Sequence, residues 1–201
     1  MKKLTVLACT AVATFAFAVA PASAQNMGNQ GTMTKTSGMK MKKNPKVGGA
    51  AMYSNKNIVE NAMMSPIHTT LVKAVVAADL AETLKGAGPF TVFAPTDKAF
   101  GKVPSSAVNS LMQPENKQQL AGVLTYHVVA GSLDSAALMQ QIKAGGGKAS
   151  LTTVNGATLT AMMEGKNIVL MDAKGGKSKV TTKDVYQSNG VIHVIDSVVM
   201  P

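Results

Sequence analysis

The sequence predicts a single α+β domain over residues 53–201, and three observations carry that prediction. Helical and strand periodicities alternate along the body of the chain. Its last third turns to short apolar runs separated by Gly and Asn. The body is also long enough to bury about 70 % of its unfolded surface, so it needs no cross-links to hold a core.

Two segments precede that body. Residues 1–24 begin with Lys2 and Lys3, continue through an apolar run from Leu4 to Ala20 and exit at Ala22-Ser23-Ala24. This is the pattern of a bacterial export signal, cleaved after Ala24. The only cysteine, Cys9, leaves with it, so the mature chain has no disulfide and no thiol chemistry. Residues 25–52 are Gly, Asn, Ser, Thr, Lys and Met without helical or strand period, a composition that reads as a disordered tail. Its Lys40, Lys42, Lys43 and Lys46 have no acidic neighbour and suit contact with an anionic surface. Met27, Met33, Met39 and Met41 are soft donors, but no tail histidine joins them and no metal is assigned.

Elements then follow in order. From 57 to 85, Ile67, Leu71 and Val75 share one helical stripe and Val72, Val76, Leu80 and Leu84 another, with Pro66 suited to a first turn. Phe90 to Ala94 reads as a buried strand ended by Pro95, after which Thr96 caps a short helix. Because Val92 and Phe93 place apolar groups on opposite faces, that strand should be central. Pro104-Ser105-Ser106 and Gln113-Pro114-Glu115 start two more helices. Thr125 to Val129 reads as a strand. Asp134 opens a helix that Gly145-Gly146-Gly147 closes. Asn155-Gly156 joins a hairpin, Glu164-Gly165-Lys166-Asn167 makes the next turn, and Ile168 to Met171 and Val180 to Thr182 continue the sheet. Val191 to Val199 is the last strand.

Three motifs in this body resemble the fasciclin family. "GPFTVFAPTDKAF" at 88–100 is similar to its first homology box, "LTYHVV" at 124–129 to its Tyr-His segment, and "NGVIHVIDSVVMP" at 189–201 to its second box. The resemblance implies a fasciclin-like wedge of twisted β-sheets flanked by short helices. It also implies a secreted or surface-held role in adhesion and matrix contact. In animal members integrin recognition is tied to the Tyr-His segment and to an Asp-Ile pair before the second box. Tyr126 and His127 match the first; Asp184 and Val185 stand at the second, with Val in place of Ile. A bacterial export signal makes an integrin itself an unsuitable partner.

Composition and motif content narrow the function further. The chain has 201 residues and a formal charge of +10, but all twenty cations are Lys and aromatics are only 4 %. Nucleic-acid recognition would draw on Arg forks and stacking rings, so no nucleic-acid partner is expected. His68, His127 and His193 lack metal-ligand spacing, there is no Gly-x-Ser-x-Gly, and the glycine run before Lys148 follows a helix instead of opening one. His193 reads as a core histidine with Asp196 as polar neighbour. No catalytic residue, metal or cofactor is assigned. The expected protein is an exported, secreted or periplasmic, non-enzymatic module with no transmembrane segment in the mature chain. It would contact cell-surface or matrix protein or polysaccharide. The alternative is a carrier of a small apolar or lipid ligand, its pocket softened by Met63, Met64, Met112, Met139, Met162, Met163 and Met171. Residues 57–201 hold twelve Lys against ten acids, so charge arithmetic assigns any electrostatic partner to the tail.

Overall fold

The computed structural model describes residues 44–201; the stretch expected to be an export signal and most of the Lys/Met segment lie outside the described residues. The fold is built on one parallel strand pair. Strand β1 (Phe90–Pro95) runs beside β7 (Gly190–Ile195), in register from Phe90 opposite Gly190 to Pro95 opposite Ile195. Their entry demands close backbone approach: a Cβ on Gly190 would lie 2.0 Å from the Phe90 carbonyl oxygen, and one on Gly88 2.0 Å from that of Asn189. Only glycine fits at either point.

Five further strands extend the sheet: β2 (Val128–Ala130), β3 (Lys148–Thr152), β4 (Thr158–Glu164), β5 (Asn167–Met171) and β6 (Lys177–Gln187). Their order is β2-β1-β7-β6-β5-β4-β3, seven strands in all among the described residues. A bridge from Val129 to Thr153, with Val154 N–H donating to Val128 O at 2.8 Å, brings the two ends of the sheet together. Thus the two edges meet at one point, which satisfies some of their unpaired backbone groups.

Helices α1 (Ile58–Met64), α2 (Thr69–Ala77), α3 (Ala81–Lys85), α4 (Asp97–Phe100), α5 (Ser105–Leu111) and α6 (Lys117–Tyr126) come before β2; α7 (Ser135–Ala144) follows it. Sequence caps work as expected at two of them: the side chains of Thr96 and Asp134 accept from Ala99 N and Ala137 N. The sheet separates two apolar clusters. One joins Val92, Ala94, Ile192 and Val194 to helical Leu71, Ala74 and Leu124. The other joins Phe93 and Ile195 to Tyr126, Leu138 and Ile142 with β3–β5 residues Leu151, Leu159 and Leu170. Alternation in β1 and β7 therefore feeds two cores at once, as their two apolar faces predict.

The α+β class and flanking helices agree with the sequence reading, but several bounds move. The run 57–85 is three helices, because Pro66 sits in the break between α1 and α2, and Asp79 turns the chain at φ 59° before α3. Thr125 and Tyr126 are helical and His127 is the C-cap of α6, so the strand starts only at Val128. The final strand stops at Ile195. The third sheet segment is longer than Val180 to Thr182, running from Lys177 to Gln187 with register shifts between Val180 and Val185.

Part of the stretch read as tail, residues 44–52, is held against the domain. Val47 and Met52 are buried in the first cluster. The Asn44 side chain copies a strand partner: its Nδ2 donates to Tyr186 O at 2.6 Å, and its Oδ1 accepts from Tyr186 N at 2.8 Å. Asn61, fully buried, exchanges two more hydrogen bonds with the backbone of Tyr53. Residues that look like spacer by composition are thus held by a few well-placed groups. Val47→Ala should cost about 2 kcal/mol, the value of one buried aliphatic side chain and the space it leaves, measured as a lower urea midpoint. A chain begun at residue 53 should lose at least that much.

Candidate functional site

Tyr126 and His127 end α6 and point into the molecule. Tyr126 is fully buried; its hydroxyl donates to Thr158 O at 3.0 Å and accepts from Ala173 N at 3.3 Å. Burial pushes the phenol above its ordinary pKa; the Ala173 donor opposes this and the Asp172 charge adds to it. His127 lies 2.8 Å from Val123 O through Nδ1 and 3.2 Å from Val199 N through Nε2. A carbonyl only accepts and an amide only donates, so Nδ1 carries the proton and the ring is neutral. Burial lowers its pKa from 6.5 to about 4, against a small opposite effect of the Val123 carbonyl. Tyr-His therefore links α6 to the β3–β4 hairpin, the loop after β5 and the C-terminal segment. Neither ring is available to a partner, contrary to the surface role that the resemblance implies.

Asp184 and Val185 occupy the irregular stretch of β6. Val185 is buried in the first cluster. Asp184 adopts φ 61°, a left-handed conformation that Asp tolerates better than most residues. This turns its carboxylate toward α7, where Oδ1 accepts from Ser135 N at 2.6 Å and Oδ2 accepts from Ser135 Oγ. Its own N–H donates to His193 Nδ1 at 3.4 Å, and His193 Nε2 donates to Leu133 O at 2.8 Å. His193 also stacks on Phe93, with ring centroids 5.7 Å apart. Its pKa is lowered by burial, which outweighs the Leu133 carbonyl and the Asp184 and Asp134 charges; Lys183 adds to the lowering. The expected exposed acceptor is thus a half-buried clamp between β6, β7 and α7. Asp196, the neighbour expected for His193, instead accepts from Lys179 N at 2.9 Å and meets Lys102 at 3.5 Å.

A third polar group, Asp97, expected to satisfy amides of the helix it begins, serves another helix. Asp97 receives Thr69 N, Thr69 Oγ1 and Thr70 N at 3.3, 2.9 and 2.8 Å, so a residue of α4 caps the start of α2. Burial pushes its pKa up, but these donors outweigh that and hold it below the ordinary carboxylate value. His68, beside this cap, is buried with Nδ1 2.7 Å from Ser65 Oγ, while Nε2 lacks a hydrogen-bond partner among the described residues. Burial lowers its pKa against the Ala94 backbone and the Asp97 charge. The "TD" pair in the first motif was the available signal, but only half of it, Thr96, serves the helix it begins.

Among the described residues no group of three or more His, Cys, Asp or Glu is placed to hold a metal ion. Lys46 is exposed; Lys40, Lys42 and Lys43 lie outside the described residues. An apolar cavity of ≈ 40 Å³ lies between helices and sheet, lined by residues that include Val59, Leu71, Val75, Val92, Leu124 and Val128.

A parallel pair between two distant boxes, a nearly closed sheet and inward-turned polar residues define a scaffold domain, and comparison with known proteins shows which one. The fasciclin domain family matches residues 66–201, and the chain belongs to that family. Protein sll1483 of Synechocystis is 44% identical over 155 residues, covering 77% of this chain and 79% of the relative. Uncharacterized protein sll1735 of the same organism is 42% identical over 147 residues, covering 72% of this chain and 97% of the relative. The fold is similar to a solved FAS1 domain pair from the insect cell adhesion molecule Fasciclin I, with TM-score 0.65 and 21% identity over 73% of this chain and 51% of that chain.

Two outcomes follow from this geometry. His127 binds a proton below 6.5 when unfolded but only near 4 when folded, so stability present above pH 6.5 drains away between 6.5 and 4, by about 3 kcal/mol for this residue. His68 and His193 shift in the same direction. Urea midpoints across that range should fall with pH, and His127→Gln, which keeps a donor and an acceptor, should flatten the slope by about one proton. Asp184→Ala should cost about 2 kcal/mol by leaving the Ser135 donors unanswered, read by the same titration at pH 7.

Proposed function

We propose that this protein is an exported, non-enzymatic contact module that joins cell-surface or extracellular matrix material. The observation that carries the proposal is the occupied state of its polar groups. Tyr126, His127, Asp184 and His193, the residues that sequence offered for chemistry or recognition, are consumed by hydrogen bonds that hold the fold. What remains for function is the outer surface. Membership of the fasciclin family supports this reading, as does a fold shared with domains of an insect cell adhesion molecule. Among the described residues no helix is long and apolar enough to cross a membrane. The export signal at 1–24 would carry the chain out of the cytoplasm, to the periplasm or beyond. Tail Lys40, Lys42, Lys43 and Lys46 would add attraction to anionic surfaces.

The carrier reading has one observation in its favour, the apolar cavity beneath α1 and α2. At ≈ 40 Å³ it has room for a few water-sized groups and no acyl chain. Loading would require the helices to part.

Mature protein mixed with fractionated cell envelope should sediment with it, and the retained fraction should fall as salt rises. Failure to bind any envelope fraction would sink the contact function. Native mass spectrometry of freshly purified protein should give the bare chain mass, whereas a stoichiometric lipid adduct would favour the carrier.

A further inference from the structure

Among the described residues the sheet is packed unevenly, and the part that neither apolar cluster reaches is basic. Helices α1–α6 pack on the face that carries Val92, Ala94, Ile192 and Val194, and α7 packs on the opposite face with Leu151, Leu159 and Leu170. The first face continues past Val185 into the Lys177–Lys179 end of β6 and across β5, β4 and β3, where neither apolar cluster reaches on that face. Register identifies its residues. One row runs Lys148, Met162, Val169, Lys179 across four strands; the next runs Ser150, Thr160, Met171, Lys177. Lys148, Lys177 and Lys179 are exposed. Lys177 pairs with Glu164, but Lys148 and Lys179 make no ion pair among the described residues. Val169 is nonetheless buried although it belongs to neither cluster. The lysine rows border a shallow apolar strip whose neighbours carry hydroxyls, Ser150, Thr152, Thr158 and Thr160.

We propose that this face binds an extended anionic polysaccharide, one bearing carboxylate or sulfate groups. Lys148 and Lys179 stand about 14 Å apart across three strand spacings, which suits repeated charges on a chain molecule and exceeds the span of a single small anion. Lysine supplies point charges that accept varied anion geometry, and the Ser and Thr hydroxyls offer partners to sugar hydroxyls. A membrane is the less suitable polyanion. The large exposed apolar residues Tyr53, Met63, Met64, Val76 and Val154 lie on none of these rows, so the face has no wedge to enter a bilayer. Nucleic acid is disfavoured for want of Arg and of aromatic rings on the face. The near-neutral total over residues 57–201 therefore conceals a segregated basic surface. This inference rests on the contact-module reading and names a partner class and a site for it.

The test uses the mature chain on immobilised dextran sulfate, polygalacturonate and neutral dextran, with phosphatidylglycerol vesicles in parallel. Lys148→Gln with Lys177→Gln and Lys179→Gln should weaken binding to both anionic polymers about tenfold at low salt and reduce its salt dependence. Arginine at the same three positions should retain binding. A tail variant with Gln at 40, 42, 43 and 46 should keep most of it, and unchanged thermal melting should show that each variant is folded. Undiminished binding by the three-site Gln variant would overturn the proposal, as would stronger binding to the vesicles than to the polymers. If the parent chain sediments with cell envelope but binds neither anionic polymer, this face proposal falls while the contact function stands; if it binds no envelope fraction, the contact function falls as well.

Discussion

The pairing of β1 with β7 is the constraint on which the rest of the molecule depends. Two segments about a hundred residues apart must meet in parallel, in register, at backbone distances that leave no room for a Cβ on Gly88 or Gly190. Closing so long a loop has an entropic cost that grows only slowly with length, and it is offset because each strand delivers side chains to two cores. Val92 and Ile192 go one way, Phe93 and Ile195 the other. If this pair were lost, the helical layer and the hairpin layer would share no floor. It also explains why the strands of the first and last motifs are apolar on both faces: they are halves of one structural element.

Around that pair, the buried polar groups act as fasteners between layers. Each of the two innermost histidines uses both ring nitrogens on backbone groups of other segments, and burial keeps them uncharged. A neutral imidazole offers one donor and one acceptor at fixed angles, which suits a joint between a helix end and a loop better than a charged side chain would. Asp97 and Asp184 do the corresponding work at helix N-termini, each reaching from a different element to free amides that the helix cannot satisfy itself. The family motifs therefore record assembly of the fold. On the proposed reading recognition falls to surfaces whose residues are less constrained, such as the lysine rows across β3–β6.

Much of the fold was legible because its signals are local. Thr96 and Asp134 read as caps, Asn155-Gly156 and Gly165-Lys166 as turns, and the alternation of Phe90–Ala94 as a central strand, since each depends on backbone geometry within a few residues. The Tyr-His segment was misread for a related reason. Thr125, Tyr126 and Val128 favour strand by propensity, but Leu120 and Leu124 need helical spacing to reach the first core, and packing overrides so weak a preference. Val47 and Asn44 were missed because a segment poor in apolar residues carries no periodicity, although one buried valine and one doubly bonded amide suffice to hold it.

The sequence by itself determined the class of fold, its family and most caps and turns, all properties set by residue type and short-range order. Tertiary structure alone decided which faces are covered. It turned Tyr126, His127 and Asp184 inward, and it aligned Lys148 with Lys179 although they are thirty-one positions apart in the chain. Composition sums charge along a line, whereas a sheet sorts side chains by register onto opposite faces, so a nearly balanced count and a strongly basic surface are compatible.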